Sequence, residues 1–485
     1  PRAKQIPSAV RFFVEKTIYI IRRKVYNKNK NVYKEIGKVY RGKKLARLII
    51  PLVIEQLFSI TVGMADIIMV SAAGDAAVSG VSLVDSINVL IINIFSALAT
   101  GGAVVVSQFI GMGDKKRGCL SANQLVISTL ALSVVVMILC EIFNKPLLSL
   151  IFGDVESEVM ESAVVYFAVM AASYPFIALY NSGAALFRSM GNSKISMETS
   201  LVMNILNIGG NALFIYVFRM GAGGVALSSL ISRIVAAIVI MRLIGDPKLD
   251  VHTENIIKGG LDFTLIKNIL RIGVPNGLEN SMFQLGKILV QRIVTMFGTV
   301  GIAANSVAGT VCNIGCIPGM SIGMAMITII GQRVGAGDYD GAEKDIKYLT
   351  KLCYIMIIIT EAMILLTLDP ILSLYSVSPE ALSTAKTIII WHSSLSMIFW
   401  PPAFSLPNAL RAANDVKYTM WVSVISMWLC RIGLAYVFAV TLDCGVIGVW
   451  YAMFCDWVVR AILIVIRTVS GKWKNKQFLT KEEQQ

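Results

Sequence analysis

The sequence predicts an all-α polytopic membrane protein: twelve transmembrane helices in two pseudo-symmetric six-helix bundles. Three observations carry this. Of the 485 residues, 56% are hydrophobic and only 15% charged, where an average soluble chain has roughly 25% charged, and the mean hydropathy is +0.70. The apolar residues gather into twelve segments of about twenty or more, the length a helix needs to cross a bilayer core. The chain also matches itself at an offset of about 224 residues. Composition excludes an ordinary soluble enzyme, a disordered chain and a collagen-like one. A closed barrel would need short alternating strands, which the sequence lacks.

In chain order the spans are 46–72, 82–110, 119–143, 160–182, 195–218 and 225–244, then, after a polar stretch, 265–297, 303–330, 345–368, 382–406, 418–440 and 446–466. Pro175, Pro401 and Pro402 fall inside spans, which membrane helices tolerate. The organisation is therefore a basic arm at 1–45, an N-terminal bundle at 46–245, a linker at 246–263, a C-terminal bundle at 264–470 and a tail at 471–485. In the arm, Phe12, Phe13, Ile18, Tyr19 and Ile20 alternate with Arg11, Lys16, Arg22, Arg23 and Lys24. That is the pattern of an amphipathic helix on an anionic membrane surface, or of a disordered basic tail.

The net charge of +14 does not mark a nucleic-acid binder, because fifteen of the 44 Lys and Arg fall in the first 47 residues and most others flank apolar runs. With the N-terminus inside, the outer side keeps only Lys145, Arg219 and Lys386. This asymmetry predicts both termini in the cytoplasm. The eight cysteines form no CxxC pair and indicate neither a zinc site nor a disulfide framework. Cys312 and Cys316, one turn apart, read as small packing residues.

The duplication is visible in four places. Gln108, Gly111, Gly113 and Asp114 after the second span match Gln332, Gly335, Gly337 and Asp338 after the eighth. Pro51 and Glu55 match Pro275 and Glu279. Arg188 and Lys194 match Arg411 and Lys417, and Tyr216-Val217-Phe218 is paired with Tyr436-Val437-Phe438. Each repeat has an even number of spans, so the halves run parallel about an axis along the membrane normal. Transporters that rock one bundle against another are built this way.

These residues resemble the multidrug and toxic compound extrusion (MATE) transporters, over roughly residues 42–470. The resemblance rests on Pro51 followed by Gly63-Met64-Ala65-Asp66, the paired GxGD loops, and the loops carrying Arg188 and Arg411. Asn207-x-x-x-Asn211 and Gly223-Gly224-Val225-Ala226 complete it. It implies a V-shaped pair of six-helix bundles with a central cavity, exporting cationic, partly apolar compounds against an inward flow of protons or sodium. It also implies that Asp66 stands at the cation-coupling position. Asn211 stands where one branch of the family has an acid, and Asn carries no proton.

Ionisable groups inside spans cost about 2.5–3.5 kcal/mol on insertion scales unless they face a cavity or partner, so each is a candidate for function. Glu55 and Asp66 lie eleven residues apart, about 20° past three full turns, so they share one helix face about 16 Å apart along the axis. Asp85 and Asn88 on the second span, and Asn207 and Asn211 on the fifth, add polar stripes that are expected to converge with them. A carboxyl removed from water can exchange a proton. Ionised and ringed by amide oxygens, Asp66 with Asn207 and Asn211 could hold sodium instead. The cation-coupling candidates are thus Asp66, Glu55, Asp85, Asn88, Asn207 and Asn211.

Around the substrate the candidates are Glu279, Lys287 and Gln291 on the seventh span, Asn313 on the eighth, and Trp391, His392 and Trp400 on the tenth. Bland roles compete. Glu55 and Glu279 lie near the cytoplasmic end and could cap or pair there. His392 suits packing, Asp456 suits a bridge to Arg431 or Arg460, and Glu141 and Glu361 suit a reach to the interface. With His252 and His392 the only histidines, and neither HExxH nor GxSxG present, an enzyme is not expected. The expected function is a cofactor-free, monomeric antiporter of the cell membrane, exporting small organic cations. A lipid-linked saccharide flippase of related duplicated fold is the alternative.

Overall fold

A computed structural model describes residues 42–153, 155–254 and 260–476, the side chain of Met64 aside. The basic arm up to residue 41, the middle of the linker and the tail beyond 476 lie outside the described residues. The chain divides into two units, Pro1–Ala46 and Arg47–Gln485. Both halves of the repeat belong to the second.

The apolar runs fold into twelve helices. In the N-terminal half they are α1 (Lys43–Ser71), α2 (Asp75–Met112), α3 (Lys115–Ile142), α4 (Ser157–Ala172 and Tyr174–Ser189), α5 (Ser193–Ala212, ending in the π turn Leu213–Val217) and α6 (Gly221–Ile244). In the C-terminal half they are α7 (Phe263–Thr295), α8 (Gly298–Gly335), α9 (Tyr339–Leu366), α10 (Pro379–Trp400, continued through Pro401–Ser405 to Leu406–Ala412), α11 (Val416–Thr441) and α12 (Gly445–Val469). Nine helices among the described residues are long and apolar enough to cross a membrane, ten when the two parts of α4 count as one span. The remaining two, α7 and α10, still run the length of a span. The first of them carries Lys267, Arg271, Glu279, Lys287 and Arg292. The protein is a multi-pass membrane protein.

The helices break where the covalent chemistry requires. α4 bends by 46° at Ser173, just before Pro175, whose ring cannot continue the hydrogen-bond ladder. α10 loosens into π geometry over Pro401–Ser405 for the same reason. α3 and α9 start alike: Asp114 accepts from the Arg117 amide, and Asp338 accepts from the Gly341 amide. The turns before them use Gly113 and Gly337 at φ of 77° and 74°, a conformation that favours glycine.

The two halves, set side by side, correct one sequence pairing. α5 and α11 both end in π turns, Leu213–Val217 and Val437–Thr441. Positive φ follows at Arg219 and Asp443, then at Gly221 and Gly445. These equivalences all keep the 224-residue offset, so Tyr216-Val217-Phe218 and Tyr436-Val437-Phe438 sit one helical turn out of register.

The halves meet along α2, which packs against α7 and α8 as well as against its own α3 and α4. Membrane helices approach through small residues. Here a Cβ on Gly101 would lie 2.8 Å from the Gly273 backbone nitrogen of α7. The α2–α3 and α8–α9 loops mark one end of the molecule, the basic face, and toward it the seam tightens. A Cβ on Gly111 would stand 2.0 Å from the Gln332 carbonyl oxygen, and one on Gly335 2.0 Å from that of Gln108. Each glutamine also clasps the opposite half. Gln108 Nε2 donates to the Ala412 carbonyl at 2.7 Å, and Gln332 Nε2 to the Ser189 carbonyl at 2.8 Å.

Candidate functional site

The N-terminal half holds a buried polar network. Asn211, on the last α-helical turn of α5, donates from Nδ2 to Asp66 Oδ1 of α1 at 2.6 Å. One turn earlier, Asn207 Nδ2 donates to Ser229 Oγ of α6 at 3.0 Å. Both asparagines are buried, and their Oδ1 atoms have no hydrogen-bond donor among the described residues. Asn211 thus sets a donor-free amide oxygen next to a carboxylate, and Asn207 carries a second one turn away on the same helix; oxygens of this kind suit a proton or a hard monovalent cation.

A second cluster adjoins it on α2. Asp85 Oδ1 accepts from Asn88 Nδ2 at 3.2 Å and from the Tyr166 hydroxyl at 3.0 Å, while the Tyr174 hydroxyl donates to Asn88 Oδ1 at 2.7 Å. Sequence reasoning had no hold on the two tyrosines, which come from either side of the α4 bend. It also missed Arg233. That guanidinium on α6 donates to Ser173 Oγ at 2.6 Å, in the bend itself, and acts electrostatically on both Asp66 and Asp85. An arginine inside an apolar span was the available signal.

Glu55 keeps different company. Its carboxylate meets Arg188 at 3.5 Å, accepts from Ser196 Oγ at 2.8 Å and from the Tyr180 hydroxyl at 3.3 Å. Glu279, its partner in the repeat, meets Arg411 at 2.6 Å. Arg188 and Arg411 are themselves a repeat pair, so one ion pair is built twice. The local-pairing role fits Glu55 and Glu279 here, with an arginine as the partner of each.

Between the halves, on the side away from the basic face, lies a cavity of about 490 Å³. Its α2 wall carries Ser82, Asp85 and Ser86; its α7 wall carries Gln284, Lys287 and Gln291; Ile67, Val70 and Val81 are among its apolar lining. This is the size and character of a small-molecule site. Of the residues expected around substrate, the structure brings Lys287 and Gln291 to this cavity.

The others have other settings. Trp400 packs its ring on Gly319 and stacks on Phe404 at 5.3 Å. Trp391 meets Tyr451 edge-on, and Asn313 is exposed on α8. His392 is buried between Trp450 and Trp457. Asp456 bridges Arg460 at 3.3 Å.

Glu361 is a correction. Rather than reaching the interface, its side chain is fully buried. It accepts from Ser393 Oγ at 2.8 Å and Ser396 Oγ at 2.9 Å, with His392 Nδ1 at 3.8 Å. Gly315 of α8 makes the room, since a Cβ there would lie 2.5 Å from Glu361 Oε1. Among the described residues no group of three or more His, Cys, Asp or Glu could hold a metal ion.

Comparison with known proteins places this arrangement. A family model described as MatE matches twice, over residues 51–213 and 275–437. The chain is 27% identical to an uncharacterized transporter, YisQ, of Bacillus subtilis, over 88% of this chain and 94% of that one. It is 24% identical to a probable multidrug resistance protein, NorM, of Thermotoga maritima, over 91% and 95%. Among solved structures, an outward-facing multidrug resistance MATE transporter superposes with a TM-score of 0.83 at 22% identity, covering 89% of this chain and 98% of that one.

Proposed function

The chain belongs to the MATE family of transporters, and from that premise we propose that it is a secondary active antiporter exporting small organic cations in exchange for an inward flow of H⁺ or Na⁺. The relatives described as probable multidrug resistance proteins support the substrate class. The observation that carries the coupling is the Asp66 carboxylate hydrogen-bonded by Asn211, with donor-free amide oxygens on Asn211 and, one turn away, on Asn207. A proton on Asp66 removes a charge. Sodium would take Asp66, Asn207 and Asn211 as ligands. Either event changes the balance among Asp66, Asp85 and Arg233 within a short reach of the cavity.

Substrate enters between Asp85 and the α7 wall, where the carboxylate meets its cationic group and the aliphatic lining its apolar body. Export follows if ion and substrate prefer different states of the seam, since a ligand shifts an equilibrium only by its differential affinity. With both termini in the cytoplasm, as the basic residues indicate, the Gln108 and Gln332 clasps close the cytoplasmic side and the cavity faces outward. The test is accumulation of a fluorescent organic cation in proteoliposomes, driven first by a pH gradient and then by a sodium gradient. Transport under one gradient and not under either control without it is the expected result. Equal movement in all conditions would overturn antiport.

The flippase alternative has one observation in its favour: Lys287, Arg431 and Arg460 of the C-terminal half gather around the Phe283 ring, and their charge favours an anionic group on the substrate.

A further inference from the structure

We infer that the cavity takes zwitterionic amphiphiles, with the anionic group of the substrate, a carboxylate or phosphate, held by a cationic cluster in the C-terminal half. The inference rests on the export reading for its direction but not for its site.

On α7, Phe283, Lys287 and Gln291 follow at four-residue steps and so share one face. Lys287 Nζ stands 5.1 Å from the centre of the Phe283 ring. Arg431 of α11 brings its guanidinium carbon to 5.4 Å from the same point, and Arg460 of α12 to 5.7 Å. Three cations from three helices therefore surround one phenyl ring. A ring face attracts one cation; it does not cancel the repulsion among three.

The acids nearby do not balance them. Asp456 bridges Arg460 and also acts electrostatically on Arg431, so one carboxylate serves two of the three cations. Glu279, which also acts electrostatically with Arg460, is paired with Arg411 at 2.6 Å. Arg431 directs Nη2 to the Met453 sulfur at 3.0 Å, a weak acceptor. The Nε donors of Arg431 and Arg460 have no hydrogen-bond partner among the described residues, although Arg460 is 97% buried, its exposure being 3%. Leaving a charged donor unpaired inside protein costs more than a neutral one. The cluster asks for an anion.

Lys287 connects it to the cavity, which it lines with Gln284 and Gln291. The facing wall carries Asp85, Ser82 and Ser86. One wall is thus anionic and the other cationic, with aliphatic side chains between. A purely cationic compound satisfies Asp85 and meets repulsion from Lys287. A zwitterion satisfies both.

The test uses three dansyl compounds of one skeleton: Nε-dansyl-lysine (zwitterion), dansylcadaverine (the same molecule without its carboxylate) and Nα-acetyl-Nε-dansyl-lysine (anion). Binding to the purified full chain is read by dansyl fluorescence. Nε-dansyl-lysine is expected to bind about tenfold more tightly than dansylcadaverine, the low end of what a charge-assisted hydrogen bond supplies. In Lys287→Gln and Arg431→Gln that preference disappears, because the zwitterion loses affinity and dansylcadaverine gains it. Lys287 is exposed to the cavity, so its replacement does not threaten folding. Dansylcadaverine binding as tightly as the zwitterion, a preference that survives both substitutions, or no binding of any of the three overturns the inference.

Displacement of bound Nε-dansyl-lysine by monomeric dihexanoylphosphatidylcholine assigns the site to lipid headgroups. Retention assigns it to soluble compounds; either result sustains the zwitterion site. Gradient-driven movement of the bound compound in proteoliposomes is scored separately. Binding without it overturns antiport and leaves the site standing.

Discussion

Replacing Gly111 or Gly335 by alanine is expected to push the two halves apart on the basic face. In either case the added Cβ would stand 2.0 Å from a carbonyl oxygen of the opposite half, that of Gln332 or of Gln108. Ordinary carbon–oxygen contact begins at about 3.3 Å, so α2 and α8 have to separate by more than about 1 Å. Overpacking of this kind costs about 1–3 kcal/mol. The separation also stretches the clasps from Gln108 Nε2 to the Ala412 carbonyl and from Gln332 Nε2 to the Ser189 carbonyl, each contributing about 0.5–1.5 kcal/mol. A state parted on that face has neither clash nor clasp. Its ratio to the closed state is therefore expected to rise at least about tenfold, the equivalent of 1.4 kcal/mol. Spin labels at Lys116 and Lys344, both exposed on the basic face, would report the change as a longer distance in pulsed electron–electron resonance. Gly309→Ala, on α8 with nothing within 4 Å of its added Cβ, is the control and should show no shift. If Gly111→Ala and Gly335→Ala both keep the parent distance distribution, the seam does not gate the basic face.

Three further outcomes are expected. Glu279→Gln strands the buried Arg411 guanidinium and should destabilise the protein by about 3–5 kcal/mol, whereas Glu279→Gln with Arg411→Met should cost less; additive losses in thermal unfolding would mean the pair is not coupled. The equivalent change at Glu55 should cost less than that at Glu279, because the Glu55–Arg188 pair is longer, 3.5 Å against 2.6 Å, and more exposed. Cysteines introduced in place of Asp75 and Lys115 should react with an impermeant reagent from outside and inside respectively; the reverse would invert the orientation.

The spans were legible because an apolar run of membrane length leaves few alternatives, and the repeat was legible because turn residues such as Gly113 and Gly337 answer to backbone geometry rather than to environment. The Tyr-Val-Phe match misled for the opposite reason: similar side chains recur on an apolar helix without marking its register, whereas the π turns and the positive φ at Arg219 and Asp443 do. The offset is 223 residues at Arg188 and Arg411 and 224 again at those turns. The extra π segment Met427–Gly433 of α11 lies in that interval, and a π turn is the way a helix absorbs one residue. Of the site, Asp66 and Asp85 could be singled out by their cost in a bilayer. Their surroundings could not, since Tyr166, Tyr174 and Arg233 reach them only through the α4 bend and its packing against α6. Glu361 was misread for a related reason. Its two serine donors lie on α10, and the space for it comes from a missing Cβ on α8.

The coupling role of Asp66 is tested most directly by Asp66→Asn in proteoliposomes, measured under the gradient that drives the parent protein. The substitution keeps the shape and an oxygen acceptor for Asn211 Nδ2 but removes the charge that binds H⁺ or Na⁺. Substrate binding should persist, because Asp85, Lys287 and the aliphatic lining of the cavity are untouched. Gradient-driven uptake should fall to the level seen without a gradient. Uptake at the parent rate in Asp66→Asn would contradict the account and move ion coupling away from α1.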